Sequence, residues 1–109
     1  MEPMHSHEQI DRRNLFLARE IARVIDADPG RSGLTRAREV CGRWLSSRSD
    51  AALSEWNAIL DRPWEEVRAV LLDPGERGTR LRQSTPFCGI ISPRRRWQLY
   101  KEFKAHATT

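Results

Sequence analysis

The stretch from residue 78 to residue 97 constrains the fold most, because it fits neither a single helix nor a single strand. Pro86 fixes its own backbone angle and pushes the residue before it out of the helical region. Gly89 permits a bend, and Ser92 followed by Pro93 is typical of the first turn of a new helix. The sequence therefore predicts an irregular, extended crossing over residues 84–91 that leads into a last helix.

The rest of the chain shows the pattern of short amphipathic helices separated by turn residues. Helices are expected at about residues 8–27, 34–46 and 76–83 and from 93 to about 105, with two more around residues 53–60 and 64–71. Ser49 or Asp50 is the expected N-cap of the third helix, and Asp61 that of the fourth. The fold class predicted is all-α, a single domain over residues 1–109 with five or six short helices and flexible ends at residues 1–7 and 106–109.

Positive charge is concentrated in the last third of the chain. Residues 1–73 contain 11 basic and 13 acidic side chains, whereas residues 74–109 contain 8 basic and 2 acidic ones. Arginine makes up 17 of the 19 basic residues, and its planar guanidinium suits phosphate, carboxylate and stacked contacts. The residues expected to contact phosphate or an acidic partner are Arg94, Arg95, Arg96, Lys101 and Lys104. A merely solvated cationic face is the alternative.

Enzymatic chemistry is not indicated. A nucleophilic Ser or Cys needs a positioned His as its base, but the three histidines, His5, His7 and His106, lie at the ends of the chain, where a side chain is expected to be poorly held. No glycine-rich phosphate loop is present, and we expect no cofactor and no native metal site. Cys41 and Cys88 lack metal-ligand spacing, which favours a reduced, cytoplasmic protein. No apolar run approaches the roughly 20 residues of a membrane span.

Four runs of residues carry a resemblance. They are Trp56-x-x-Ile59-Leu60, Leu71-x-Asp73-Pro74-Gly75-Glu76, Leu81-Arg82-Gln83-Ser84-Thr85-Pro86-Phe87-x-Gly89 and Ser92-Pro93-Arg94-x-Arg96-Trp97. Together they span residues 56–97, and this pattern resembles small bacterial proteins encoded beside toxin-like or nucleotidyltransferase-like genes. The resemblance implies a non-enzymatic antitoxin that binds a cognate toxin and occludes its active site.

If the resemblance holds, the segment from Leu81 to Gly89 is the docking element. Phe87 would be its apolar anchor, held ready by Pro86 at reduced entropic cost. Arg80 and Arg82 would meet acidic groups, including carboxylates that hold a metal in nucleotidyltransferases. The full set of predicted partner-binding residues is Phe16, Arg80, Leu81, Arg82, Gln83, Pro86 and Phe87.

Alternatives remain open at this stage. Pro86 and Phe87 could instead plug the bottom of the helical bundle. Phe16, framed by arginines on the first helix, could contact a partner or pack on a neighbouring helix. The whole protein could be a nucleic-acid-binding regulator that uses the basic C-terminal helix, or an inhibitor of another nucleic-acid enzyme. These readings differ in whether the cationic face meets phosphates or carboxylates.

Overall fold

The computed structural model describes residues 6–107, and over that range it contains helices and no strand. The six helices are α1 (Ser6–Asp26), α2 (Ser32–Ser47), α3 (Ala51–Leu60), α4 (Trp64–Leu71), α5 (Glu76–Arg82) and α6 (Pro93–Ala107). The all-α class predicted from the sequence is confirmed. The ends expected to be flexible, residues 1–7 and 106–109, lie mostly outside the described residues, except that α1 includes residues 6 and 7 and α6 includes residues 106 and 107.

The helix starts show which local signals the chain uses. Asp50 caps α3, because its side chain accepts hydrogen bonds from the backbone N–H groups of Ala52 at 2.9 Å and Leu53 at 3.1 Å. Asp61 was expected to cap α4, and this expectation is wrong: Asp61 is the C-cap of α3, and Pro63 holds the N-cap position of α4. The residue before a proline avoids the helical region, so α4 starts only after Pro63.

Helix α1 is the centre of the packing and contacts α2, α4, α5 and α6, while α2 packs mainly on α3. Trp56 on α3 is the largest of the fully buried side chains in the core. Its indole N–H donates to the carbonyl of Leu81 at 2.8 Å, and its ring meets Phe87 edge to face at 5.7 Å between centroids. These two contacts tie α3 to the end of α5 and to the chain that follows it.

Between α5 and α6, the backbone forms turns and bends rather than regular structure. Arg36 on α2 holds this connection by donating from Nε to the carbonyl of Cys88 at 3.2 Å. Gly89 has a φ of 76°, the left-handed region that favours glycine. The Ser92 hydroxyl then accepts from the N–H of Arg95 at 3.1 Å, as expected of an N-cap for α6.

Candidate binding site between the first and last helices

The apolar residues of the predicted docking segment lie inside the core. Phe87 is only 2% exposed, and Leu81 and Pro86 are also buried. Of the residues predicted between positions 80 and 87, only Arg80 and Gln83 are exposed. In this structure a partner cannot reach the Phe87 ring, and its position matches the alternative in which Pro86 and Phe87 plug the bundle.

Arg82 has a structural position rather than an exposed one. It is 5% exposed, and its Nη1 donates to the carbonyl of Leu71 at 2.9 Å and of Asp73 at 2.7 Å. These are carbonyls at the C-terminal end of α4, which no helical N–H satisfies. Burial lowers the pKa of the guanidinium, and its Nε has no hydrogen-bond partner among the described residues. Arg82 therefore caps α4 from within the fold.

Arg80 is exposed but already paired. Its Nη2 lies 3.0 Å from Oε1 of Glu55, and Nε of Arg77 lies 2.9 Å from Oε2 of the same carboxylate. The hydrogen bonds from Arg77 and then Arg80 hold the pKa of Glu55 below its ordinary value. The two guanidinium groups share one carboxylate, so this surface keeps less free positive charge than its arginine count suggests.

Phe16 lies half-buried against the last helix. Its ring is 5.6 Å from that of Phe103 and tilted by 54°. Such tilted aromatic contacts add to the burial of both rings. Of the two interpretations offered for Phe16, the structure shows packing on a neighbouring helix, and this packing joins α1 to α6.

Among the three arginines that open α6, Arg95 differs from the other two. Its Nε lies 3.3 Å from Oε2 of Glu20 on α1, and its Nη1 lies 3.3 Å from Glu102. The hydrogen bond with Glu20 raises the pKa of Arg95 above its ordinary value. Glu20 also accepts from Arg23, and its own pKa is lowered mainly by that hydrogen bond. Arg95 therefore holds α6 to α1.

A groove runs between the exposed sides of α1 and α6, and we call it the α1–α6 groove. Its volume is about 470 Å³, and its lining residues are Gln9, Ile10, Arg13, Trp97, Tyr100, Lys101, Phe103 and Lys104. Two of its apolar side chains are open to solvent: Trp97 is 63% exposed and Ile10 is 43% exposed. The lining combines apolar surface with three cations and contains no carboxylate.

The cations of the groove lie close to its aromatic rings. The guanidinium carbon of Arg13 is 5.2 Å from the ring centre of Tyr100, and Nζ of Lys101 is 6.0 Å from that of Trp97. Arg94, Trp97, Lys101 and Lys104 fall on one face of α6 because their spacing follows the helical repeat. No carboxylate of the described residues forms an ion pair with Arg94, Lys101 or Lys104.

The structure separates the predicted site residues into four groups. Leu81, Arg82, Pro86 and Phe87 belong to the core, Arg80 and Gln83 are exposed near the end of α5, Phe16 and Arg95 join α1 to α6, and Arg94, Lys101 and Lys104 remain on the free face of α6 with exposed Arg96 beside them. The sequence did not point to Ile10 or Arg13 as site residues, and Trp97 and Tyr100, although interleaved with the basic residues of the last helix, were not among the predicted contact residues. The signal that could have found Trp97 is its helical spacing from Arg94, Lys101 and Lys104.

No protein-family model, curated protein or solved structure matches this chain. Among the described residues, no three side chains of the metal-ligating types lie together, and no helix is both long enough and apolar enough to cross a membrane. The function is therefore argued from the surface just described.

Proposed function

We propose that this chain is a non-enzymatic, antitoxin-type protein of the bacterial cytoplasm that binds a cognate toxin and neutralises it by occluding its active site. The toxin class implied by the resemblance of residues 56–97 is a nucleotidyltransferase-like enzyme. The observation that carries the proposal is Trp97, a large aromatic side chain left 63% exposed in a groove with a cationic rim.

An exposed tryptophan of this kind fits a protein interface. Tryptophan and arginine are enriched among the few residues that supply most of the binding energy at interfaces, where they are surrounded by contacts that exclude water. Trp97 and Ile10 form the open apolar part of the groove, and Arg13 and Lys101 lie beside the aromatic rings. A partner that covers this groove removes both apolar side chains from water, and its acidic side chains can pair with the cations of the groove.

Neutralisation by occupancy requires no chemistry from this chain. If the rim of the toxin's active site is acidic, a cationic protein surface is attracted to it and approaches it faster than a neutral surface would. Arg94, Lys101 and Lys104 supply that attraction, since no carboxylate of the described residues pairs with them. The docking surface proposed here is the α1–α6 groove, in place of the segment from Leu81 to Gly89, whose apolar residues lie inside the core.

The experiment is co-expression of this chain with the products of the two genes that flank its own, followed by purification at moderate salt and intact-mass measurement. We expect a stoichiometric complex with a neighbour that inhibits growth when it is expressed alone. Trp97→Ala should weaken this complex by about tenfold or more, as expected for a central aromatic anchor. Arg43→Ala, on an exposed part of α2, is the control and should leave it unchanged. The proposal fails if neither neighbour binds, or if the neighbour that binds has no toxicity.

A nucleic-acid-binding regulator is the second candidate, and the cationic face of α6 favours it. Arg94, Lys101 and Lys104 lie at positions i, i+7 and i+10 with Trp97 between them, so phosphates and an unpaired base could meet one face of the helix. Binding through three phosphates predicts an affinity for single strands that falls with salt at a log–log slope of about −2. This candidate is favoured if nucleic acid co-purifies with the chain and neither neighbouring gene product does. An inhibitor of another nucleic-acid enzyme would co-purify neither with nucleic acid nor with a toxic neighbour.

A further inference from the structure

The two sides of α6 differ in how their positive charge is balanced. On one side Arg95 is paired with Glu20 of α1 and Glu102 of α6. On the groove side, Lys101 and Lys104 have no ion pair with a carboxylate of the described residues. The charge that the fold leaves unbalanced is therefore on the rim of an open apolar groove, which is the place where a ligand would balance it.

The first wall of the groove adds to this imbalance. Arg13 on α1 lines the groove with its guanidinium over the Tyr100 ring, and its Nε is buried without a hydrogen-bond acceptor among the described residues. Glu8, the acidic residue of the first turn of α1, is paired with Arg12 at 2.9 Å. The residues of α1 that line the groove are Gln9, Ile10 and Arg13, with no carboxylate among them, so both walls favour a negatively charged occupant.

The aromatic rings favour a protein over an unpaired base. A base binds such a site by stacking on an open ring face. In the groove, Arg13 already lies over Tyr100 and Lys101 over Trp97, at 5.2 Å and 6.0 Å from the ring centres. One face of each ring thus lies near a cation that a stacked base would have to displace, while the side chains of Trp97 and Ile10 remain exposed as an apolar floor. Such a floor fits an aliphatic or aromatic side chain.

The length of the groove along α6 suits two turns of a docked helix. Trp97 and Lys104 are seven residues apart on α6, which corresponds to about 10 Å, or two helical turns. A third helix laid between α1 and α6 presents side chains to such a groove at intervals of three and four residues. Its apolar side chains can reach the floor while acidic ones on its flanks reach the rim.

We propose that the α1–α6 groove receives an acidic amphipathic helix of the partner. An apolar side chain of this helix sits between Ile10 and Trp97, and its carboxylates face Arg13, Lys101 and Lys104. This inference rests on the proposed function, because it specifies which part of the toxin docks in the groove. The inference is argued from the charges and exposed side chains of the groove, so it can be tested with model peptides before the partner is known.

The experiment uses the full chain and three fluorescent probes in anisotropy titrations. The first is an amphipathic peptide of about 16 residues, long enough to cover the groove at 1.5 Å per residue, with leucines at positions i, i+4 and i+7 and glutamates on its flanks. The second is the same peptide with lysine in place of glutamate, and the third is a short oligothymidylate. We expect the Kd of the acidic peptide to be at least about tenfold lower than that of either other probe.

Variants then place the peptide on the groove. Trp97→Ala and the double change Lys101→Glu with Lys104→Glu should each raise the Kd of the acidic peptide by about fivefold or more. Arg43→Glu on α2 makes a charge reversal outside the groove and should change the Kd by less than about twofold. All of these side chains are exposed, so the variants should keep the helical circular dichroism and the melting temperature of the unmodified protein.

The results separate this inference from the proposed function. Equal Kd values for the acidic and basic peptides, or a Kd that Trp97→Ala leaves unchanged, would overturn the inference even if a toxic neighbour forms a complex with the chain. Tighter binding of the oligothymidylate would overturn it in favour of nucleic acid. Selective binding of the acidic peptide in the absence of any toxic neighbour would support the groove chemistry and refute the antitoxin role.

Discussion

Replacing Phe87 with alanine tests whether this residue supports the fold or waits for a partner. The structure places its ring in the core, 2% exposed and edge to face with Trp56 at 5.7 Å. A docking anchor would be free to lose its ring without harm to the isolated protein. A core residue would not, because its removal leaves a cavity that the neighbouring helices cannot fully close.

The expected loss follows from this burial. Phe→Ala changes at buried sites lower the free energy of unfolding by about 3–5 kcal/mol, of which the aromatic pair with Trp56 accounts for roughly 0.5–1.5 kcal/mol. The total stability of a domain is about 5–15 kcal/mol. Phe87→Ala should therefore remove about a fifth of it or more, and the melting temperature should fall by roughly 12–40 °C.

The measurement is urea unfolding followed by far-ultraviolet circular dichroism, with thermal melts alongside. Trp97→Ala is the matched control: it also removes an aromatic ring, but an exposed one, and should change the free energy of unfolding by less than about 0.5 kcal/mol. If Phe87→Ala instead unfolds at the same urea concentration with the same m-value, the packing argument is refuted. Loss of partner binding in that stable variant would make Phe87 the docking anchor.

Three further changes probe single features of the fold. Gly78→Ala should lower the free energy of unfolding in urea by about 1–3 kcal/mol, because the added Cβ would overlap a backbone carbonyl oxygen. Gly42→Ala is the control inside α2, where the added Cβ has open space, and it should raise the free energy of unfolding by about 0.5–1 kcal/mol. The reverse order would contradict the packing around α5. Asp50→Ala should lose about 1 kcal/mol through the missing α3 cap, and Asp50→Asn should recover most of it. The hydrogen bond from Arg23 holds the pKa of Glu20 below its ordinary value. The ionised Glu20 carboxylate therefore contributes to stability above about pH 4.5, and this contribution is lost as the pH falls through the folded pKa. Glu20→Gln should flatten the loss of stability below about pH 4.5, and an unchanged pH profile would count against this ion pair.

The sequence predicted the helices well because each of them has its own local signals. The apolar repeat and the turn residues between segments specify six helices without reference to any distant contact. Asp61 shows where local signals compete. It is a good N-cap residue, but Pro63 delays the start of α4, and Asp61 is left as the end of α3.

The candidate site was predicted only in part, because exposure depends on contacts between distant segments. The irregular segment after α5 has the composition of a surface connection, yet the indole of Trp56 binds the carbonyl of Leu81 and draws the following residues inside. Conversely, Ile10 belongs to the apolar stripe of α1 but is 43% exposed. Periodicity assigns a side chain to a helix face, and it does not say whether another element covers that face.

The two predicted contact residues that turned out to hold α6 in place give the groove its shape. Helix α6 packs against α1, and Phe16 with Phe103 and Arg95 with Glu20 are among the contacts that hold the two walls together. Phe16, Glu20 and Arg95 do not line the groove, so these three residues act on a partner only through the distance between the walls. A binding surface formed by a terminal helix and one neighbouring helix depends on such contacts more than a surface whose helices are held by several neighbours. Partner binding by this chain should therefore be as sensitive to the joint between α1 and α6 as to the exposed side chains that the partner touches.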